Sequence, residues 1–208
     1  EGFSSSAGGL NLTAKDLATK AKVSEEKAQN IIDIASHLLS KERFTLQGTS
    51  GALAVAERES GFDPKAINTG GGVAGYFQWS GWSNTVNGDR WAQGSSRTLD
   101  ADVELQLMST ELNGAYKKVK TEMQKATDPG DAALYWSEHY ESVALSDGQT
   151  KAEKLQTDAD KWFKVFDGTI NSDSSVAFSG DTGLATGTLT STFDLPPEYL
   201  GKLKYGVP

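Results

Sequence analysis

The stretch "TSGALAVAERESGFDPKA", residues 49–66, decides how the chain is read. Its first part, "TSGALAVAERES", predicts a helix opened by Thr49 or Ser50 and closed by Gly61. Ala52, Val55, Ala56 and Glu59 fall at i, i+3, i+4 and i+7, so Glu59 continues an apolar stripe. Glu57 sits two residues back, roughly 200° around the helix, and is expected to point elsewhere. Burial on a stripe disfavours a charged acid, and so does the negative end of a helix dipole. Both effects push Glu59 towards the proton-donor form that general acid catalysis requires. The rival reading is a solvated glutamate at a helix end.

Beyond Gly61 the helical period breaks. From Phe62 to Leu99 the chain is rich in Gly, Asn, Ser and aromatics, as in "INTGGGVAGYFQWSGWSNTVNGDRW". A segment of this length without regular structure is usually functional or disordered, and its aromatic content argues against disorder. It is read as a long loop or a short irregular hairpin. Gly75 would allow close backbone approach. Gln78 offers an amide donor and acceptor to ring hydroxyls or N-acetyl groups. Tyr76 and Trp82 are expected to be exposed as flat faces for sugar C–H groups, with Phe77 and Trp79 in the core.

Helices flank this segment on both sides. "LTAKDLATKA" is a weak helical signal, and "VSEEKAQNIIDIASHLLSKE" a stronger one capped by Ser24. Asp100 caps a run in which Leu105, Met108, Leu112, Ala115, Tyr116, Val119 and Met123 recur at helical spacing. Asp128 and Pro129 open "TDPGDAALYWSEHY", and a last helix spans about Lys151 to Phe166. The expectation is an all-α fold, α+β at most. Residues 1–9 read as a flexible lead-in, 10–167 as the helical domain, 168–192 as a Gly/Ser/Thr/Asp-rich linker, and 193–208 as the approach to a further module. A chain that begins at Glu1 and ends "KLKYGVP" reads as a piece of a longer protein.

Composition narrows the chemistry. The 208 residues carry a formal net charge of -8, which leaves no basic stripe to neutralise phosphates, so no nucleic-acid partner is expected. The 5 Trp, 8 Phe and 6 Tyr can fill a sizeable core. There is no cysteine, which removes disulfides, thiolate zinc sites and cysteine nucleophiles from this stretch. No run of eighteen apolar residues occurs, and no membrane contact is expected within the segment. His37 and His139 are the two histidines, and each reads as a packed or surface residue. No HExxH or Cys/His cluster is present, and "TGGG" at 69–72 lacks the context of a phosphate loop. Neither a metal nor another cofactor is expected.

"ESGFDPKA" (59–66) followed by "VAGYFQW" (73–79) resembles the goose-type lysozyme-like and soluble lytic transglycosylase group. It is most similar to that group's tail-lysozyme branch, found in phages and in conjugative elements of Gram-positive bacteria. "ELQLMSTEL" and "YWSEHYES" are similar to the branch's downstream helices. The resemblance covers roughly residues 25–167 and implies a lysozyme-like helical domain that cleaves the MurNAc–GlcNAc β-1,4 bond of peptidoglycan. It implies that Glu59 is the catalytic acid, that Ser60 supports the acid's helix end, and that Gln78 lies near the substrate N-acetyl group. Tyr140 and Glu141 fall where the branch has an aromatic–Glu pair facing the cleft. The Arg-Pro usual after that pair is replaced by Ser142 and Val143. The implied partners are glycan strands and other components of a conjugation or tail machine. The implied location is extracellular, at a Gram-positive cell wall.

Glycosidases commonly pair two carboxylates. Asp63, Asp89, Asp100, Asp102 and Glu141 are available, with Asp89 read as a turn residue and Asp100 and Asp102 as helix-start residues. Glu141 is the best second carboxylate. A second acid is dispensable in a lytic transglycosylase, where one Glu protonates the leaving oxygen and then deprotonates the sugar's C6 hydroxyl. Hydrolysis by the same Glu is the competing outcome. Two further readings stand beside these: a catalytically weak or inactive wall-binding module, and an unrelated all-α protein in which the motif is chance.

Overall fold

A computed structural model describes residues 10–169, so the lead-in, nearly all of the linker and the final segment lie outside the described residues. At the edges of the described part, the Asn11 amide donates to the Thr169 carbonyl at 2.7 Å.

Seven α-helices form in this part, and most begin at the caps the sequence offers. Thr13 caps α1 (Ala14–Ala21), and Ser24 caps α2 (Glu25–Ser36) by accepting from the Lys27 amide. α2 runs on into a π-helical turn, His37–Lys41. Asp100 caps α4 (Ala101–Leu112), and Asp128 with Pro129 opens α6 (Pro129–His139). α7 covers Ala152–Phe166.

Two expectations need correction. α3 spans Leu46–Ser60 and is capped by Thr45, four residues before the expected start. The Thr45 hydroxyl accepts from the Gly48 amide and donates to the Ala126 carbonyl, so a tertiary partner selects it as the cap. The period running through residues 105–123 belongs to two helices. α4 ends at Leu112, and α5 (Lys117–Lys125) comes after the "NGAY" turn, in which the Tyr116 amide donates to the Glu111 carbonyl. Asn-Gly is a turn signal that the apolar spacing masked.

α3 is the axis of the domain. Residues 48–56 are all buried, not one stripe of them, because α6 and α7 pack against it and α5 touches it. Small residues make this approach feasible. A Cβ on Gly51 would stand 2.5 Å from the Ala133 amide nitrogen, so α3 and α6 meet backbone to backbone there. Trp136, Trp162, Phe166, Leu53 and Val55 fill the space around the axis.

Gly61, in the left-handed region at φ 60°, ends α3, and its N–H donates to the Glu57 carbonyl. Phe62 comes next at φ 64° with its ring buried against Trp162, and its carbonyl accepts from Asn30. The irregular segment then forms a three-stranded antiparallel meander of two-residue strands: β1 (Ile67–Asn68), β2 (Val73–Ala74) and β3 (Trp79–Ser80). Ala74 pairs with both Ile67 and Trp79. The fold is therefore helical with one small sheet, and the end of α3 stands at the start of that sheet.

Candidate active site

Glu59 occupies the last turn of α3, and its side chain keeps 22% of its surface accessible. Its Oε1 accepts two bonds from the neighbouring Arg58 guanidinium, at 2.8 Å from Nε and 2.6 Å from the terminal nitrogen. Arg58 is held in turn by Ser137 of α6 at 2.7 Å and by the Thr150 carbonyl at 3.3 Å. A guanidinium stabilises a carboxylate. The sequence reading counted burial and the helix dipole and omitted this opposing partner. Adjacent helix residues do not ordinarily face each other, so nothing in the spacing announced it. Ser60 donates to the Ala56 carbonyl at 3.1 Å and closes the last turn beside the acid. Glu57 lies on the other side, bonded to Lys161 and to the Trp162 indole of α7.

Glu141, just beyond α6, is brought into the field of Glu59. Its part-buried carboxyl accepts from the Trp136 indole at 3.2 Å. Desolvation pushes its pKa up to about 8, with the negative charge of Glu59 adding to the effect and Arg90 and Arg58 opposing it. Ser142, at φ 59°, turns the chain back just after it, and the Val143 amide donates to the Ser137 carbonyl. The position where the resemblance expected Arg-Pro thus has its own turn.

Tyr140 requires a correction. It is fully buried, and its hydroxyl donates to Glu111 Oε2 at 2.6 Å. Glu111, on α4, also accepts from the Trp79 indole at 3.1 Å and from Arg90 at 2.7 Å through both oxygens. Arg90 lies 4.5 Å over the Tyr140 ring and donates to the Tyr140 carbonyl. Tyr140 is therefore a pillar joining β3, α4 and the end of α6, with Glu141 as the next residue. Tyr76, expected exposed, is buried too, because the turn between β2 and β3 folds onto α4. Phe77 and Trp79 are core residues as read. Trp82 is half-buried and packs at 5.0 Å on Trp91.

Gln78 lies on the β2–β3 turn in a left-handed conformation, φ 49°. Its amide nitrogen donates to the Ala66 and Gly75 carbonyls at 3.1 and 3.0 Å. Its side-chain oxygen makes no bond to a described residue, so it remains an acceptor for a ligand donor such as an N-acetyl N–H. Among the other acids, Asp89 caps a 3₁₀ turn (Arg90–Gln93) and pairs with Arg97 at 2.6 Å, while Asp100 caps α4. His37 contacts Ser109 and Glu42, and His139 packs against Tyr135.

Arg58, Arg90, Glu104 and Glu111 escaped the sequence reading. For two of them a signal existed. Glu104, Leu107, Met108 and Glu111 are i, i+3, i+4 and i+7 of α4 and all are buried, the same acid-on-a-stripe pattern that drew attention to Glu59.

A helical domain whose central helix ends in a glutamate, beside a Gly/aromatic meander carrying a glutamine, has the layout of a lysozyme-like domain. The chain belongs to the phage tail lysozyme family, whose model matches residues 29–166. The family carries with it a lysozyme-like, peptidoglycan-degrading activity. No curated protein and no solved structure matches the chain.

Proposed function

We infer that the domain cleaves the β-1,4 bond between MurNAc and GlcNAc in peptidoglycan, with Glu59 as the group that meets the glycosidic oxygen and Glu141 as the neighbouring carboxyl that holds a proton at neutral pH. The observation that carries this reading is Glu141, pushed up to about 8 by burial and by the charge of Glu59. One proton is thus stored where the leaving-group oxygen needs it, and Arg58 balances the remaining charge. Glu59 at the helix end takes this proton over from Glu141 and passes it to the glycosidic oxygen as the C1–O bond breaks.

The carboxylate left on Glu59 then takes a proton from the attacking hydroxyl. Glu59 thus acts first as acid and then as base, with Glu141 as its proton store and not as the nucleophile of a two-carboxylate glycosidase. That favours a substrate-assisted route, in which the N-acetyl group stabilises the cation and the sugar's own C6 hydroxyl attacks C1. The product is a 1,6-anhydro end, as in a lytic transglycosylase. Gln78 would receive the N-acetyl group, and half-buried Trp82 would offer its face to a sugar ring.

The setting we propose is the Gram-positive cell wall, outside the membrane, where the domain would open glycan strands locally for a tail or conjugation apparatus. Zymography on Gram-positive walls tests this reading. Clearing by the wild type with none by Glu59→Gln supports it. Binding without clearing by the wild type would instead make the domain a wall-anchoring module.

A further inference from the structure

We propose that Glu104 is a positioning residue: its buried carboxyl clamps the turn between β2 and β3 from beneath and thereby fixes Gln78 for substrate. The inference rests on the reading of Gln78 as the N-acetyl contact. The turn is conformationally demanding. Gly75 stands at φ 90° and Gln78 at φ 49°, two left-handed residues within four positions. Such a backbone persists only where its surroundings over-determine it. The Gly75 and Gln78 amides are satisfied by the Ala66 and Gly75 carbonyls at 2.9 and 3.0 Å. The Tyr76 amide is satisfied by Glu104 Oε2 at 2.7 Å.

Glu104 reaches this amide because residue 75 has no side chain. A Cβ there would lie 2.8 Å from the carboxyl carbon. The carboxyl is wholly inaccessible, and its Oε1 has no hydrogen-bond partner among the described residues. Burying such a group costs stability, so packing alone does not account for an acid here. Fixing the turn does. Desolvation pushes Glu104 up to about 8 against the Tyr76 hydrogen bond, with the charges of Asp100 and Asp63 adding to it, so at neutral pH the clamp is a neutral acid. The groups facing it are Tyr76 on the turn, Asp100 at the start of α4 and Asp63 beyond α3. Asp33 on α2 acts on Tyr76.

The test is a double-mutant cycle on peptidoglycan turnover, corrected for folded fraction, together with the Tyr76 amide resonance in the intact protein. Glu104→Ala should lower kcat/KM about tenfold or more, because a misplaced substrate contact carries a penalty of that order. Glu104→Gln, which keeps an acceptor for Tyr76, should restore it. In a Gln78→Ala background Glu104→Ala should cost nothing further. The Tyr76 amide should titrate with a midpoint of about 8 in the wild type and not in Glu104→Gln. Equal losses from Glu104→Ala in both backgrounds, or a Tyr76 amide that does not titrate, would overturn the inference. If the wild type cleaves no glycan, the functional reading fails on its own, and the amide titration still decides whether the clamp exists.

Discussion

Arg58 and Glu141 set what Glu59 can do. The guanidinium grips one oxygen of Glu59, while Glu141 feels the Glu59 charge. In the proposed reaction Glu141 is therefore the store of the proton that Glu59 delivers. Substituting Glu141→Gln should leave the fold intact and remove the alkaline limb of activity, which in the wild type should fall as pH rises through about 8. A pH–rate profile of wall clearing checks this, and an unchanged limb in Glu141→Gln would refute the pairing. Glu57→Gln should leave wall degradation at the wild-type rate, since its carboxyl serves Lys161 and Trp162 on α7. The stability change should stay within about 1 kcal/mol, the scale of an exposed ion pair, as read by urea denaturation. The places of Glu59 in the last turn of a helix and of Gln78 in the irregular segment were legible in the sequence from helix period and turn composition. Arg58 was not, because its partners come from α6 and from the carbonyl of Thr150, contacts that no local spacing encodes.

At the scale of elements, α3 fixes the site because it is buried on every side along residues 48–56. Gly48 and Gly51 let α5 and α6 approach its backbone. Gly51→Ala would drive a Cβ to 2.5 Å from the Ala133 nitrogen and 2.7 Å from the Ala132 carbonyl carbon. Overpacking of that kind costs about 1–3 kcal/mol or more, and a lowered urea midpoint with an unchanged slope is the expected result. The sequence showed that a helix ends at Gly61, but its start was misread because Thr45 becomes the cap through a bond to Ala126, in a distant part of the chain. Tyr76 was misplaced for a related reason. An aromatic in a Gly-rich segment reads as an exposed platform, yet Glu104 on α4 draws the Tyr76 backbone inward, and Glu111 likewise holds the Tyr140 hydroxyl that the resemblance placed at the cleft.

Across the whole molecule, buried acids with opposite shifts shape stability. Burial would raise Glu42, but bonds from His37, Ser109 and Lys120 outweigh it and hold it at about 2. A depressed carboxyl stabilises the fold above its unfolded value of 4.5 and loses that contribution as pH falls towards 2, a difference of about 3 kcal/mol. Glu104 has the opposite sign. Its folded form retains a proton that the unfolded chain releases, so stability falls as pH rises from 4.5 to about 8 and then levels. The urea midpoint should therefore peak near the mildly acidic range, with Glu42→Gln flattening the acid side and Glu104→Gln lessening the alkaline fall, to which Glu141 also contributes. A midpoint that climbs steadily to pH 8 would contradict this balance. The helical class and its family are visible in the order of short motifs, whereas the charge network needs the fold to bring α3, α4 and the end of α6 together. The most direct test of the account is mass spectrometry of muropeptides released from Gram-positive walls by the wild type and by Glu59→Gln. The account predicts fragments with 1,6-anhydro ends from the wild type and none from Glu59→Gln. Release of the same fragments by Glu59→Gln at the wild-type rate would contradict it.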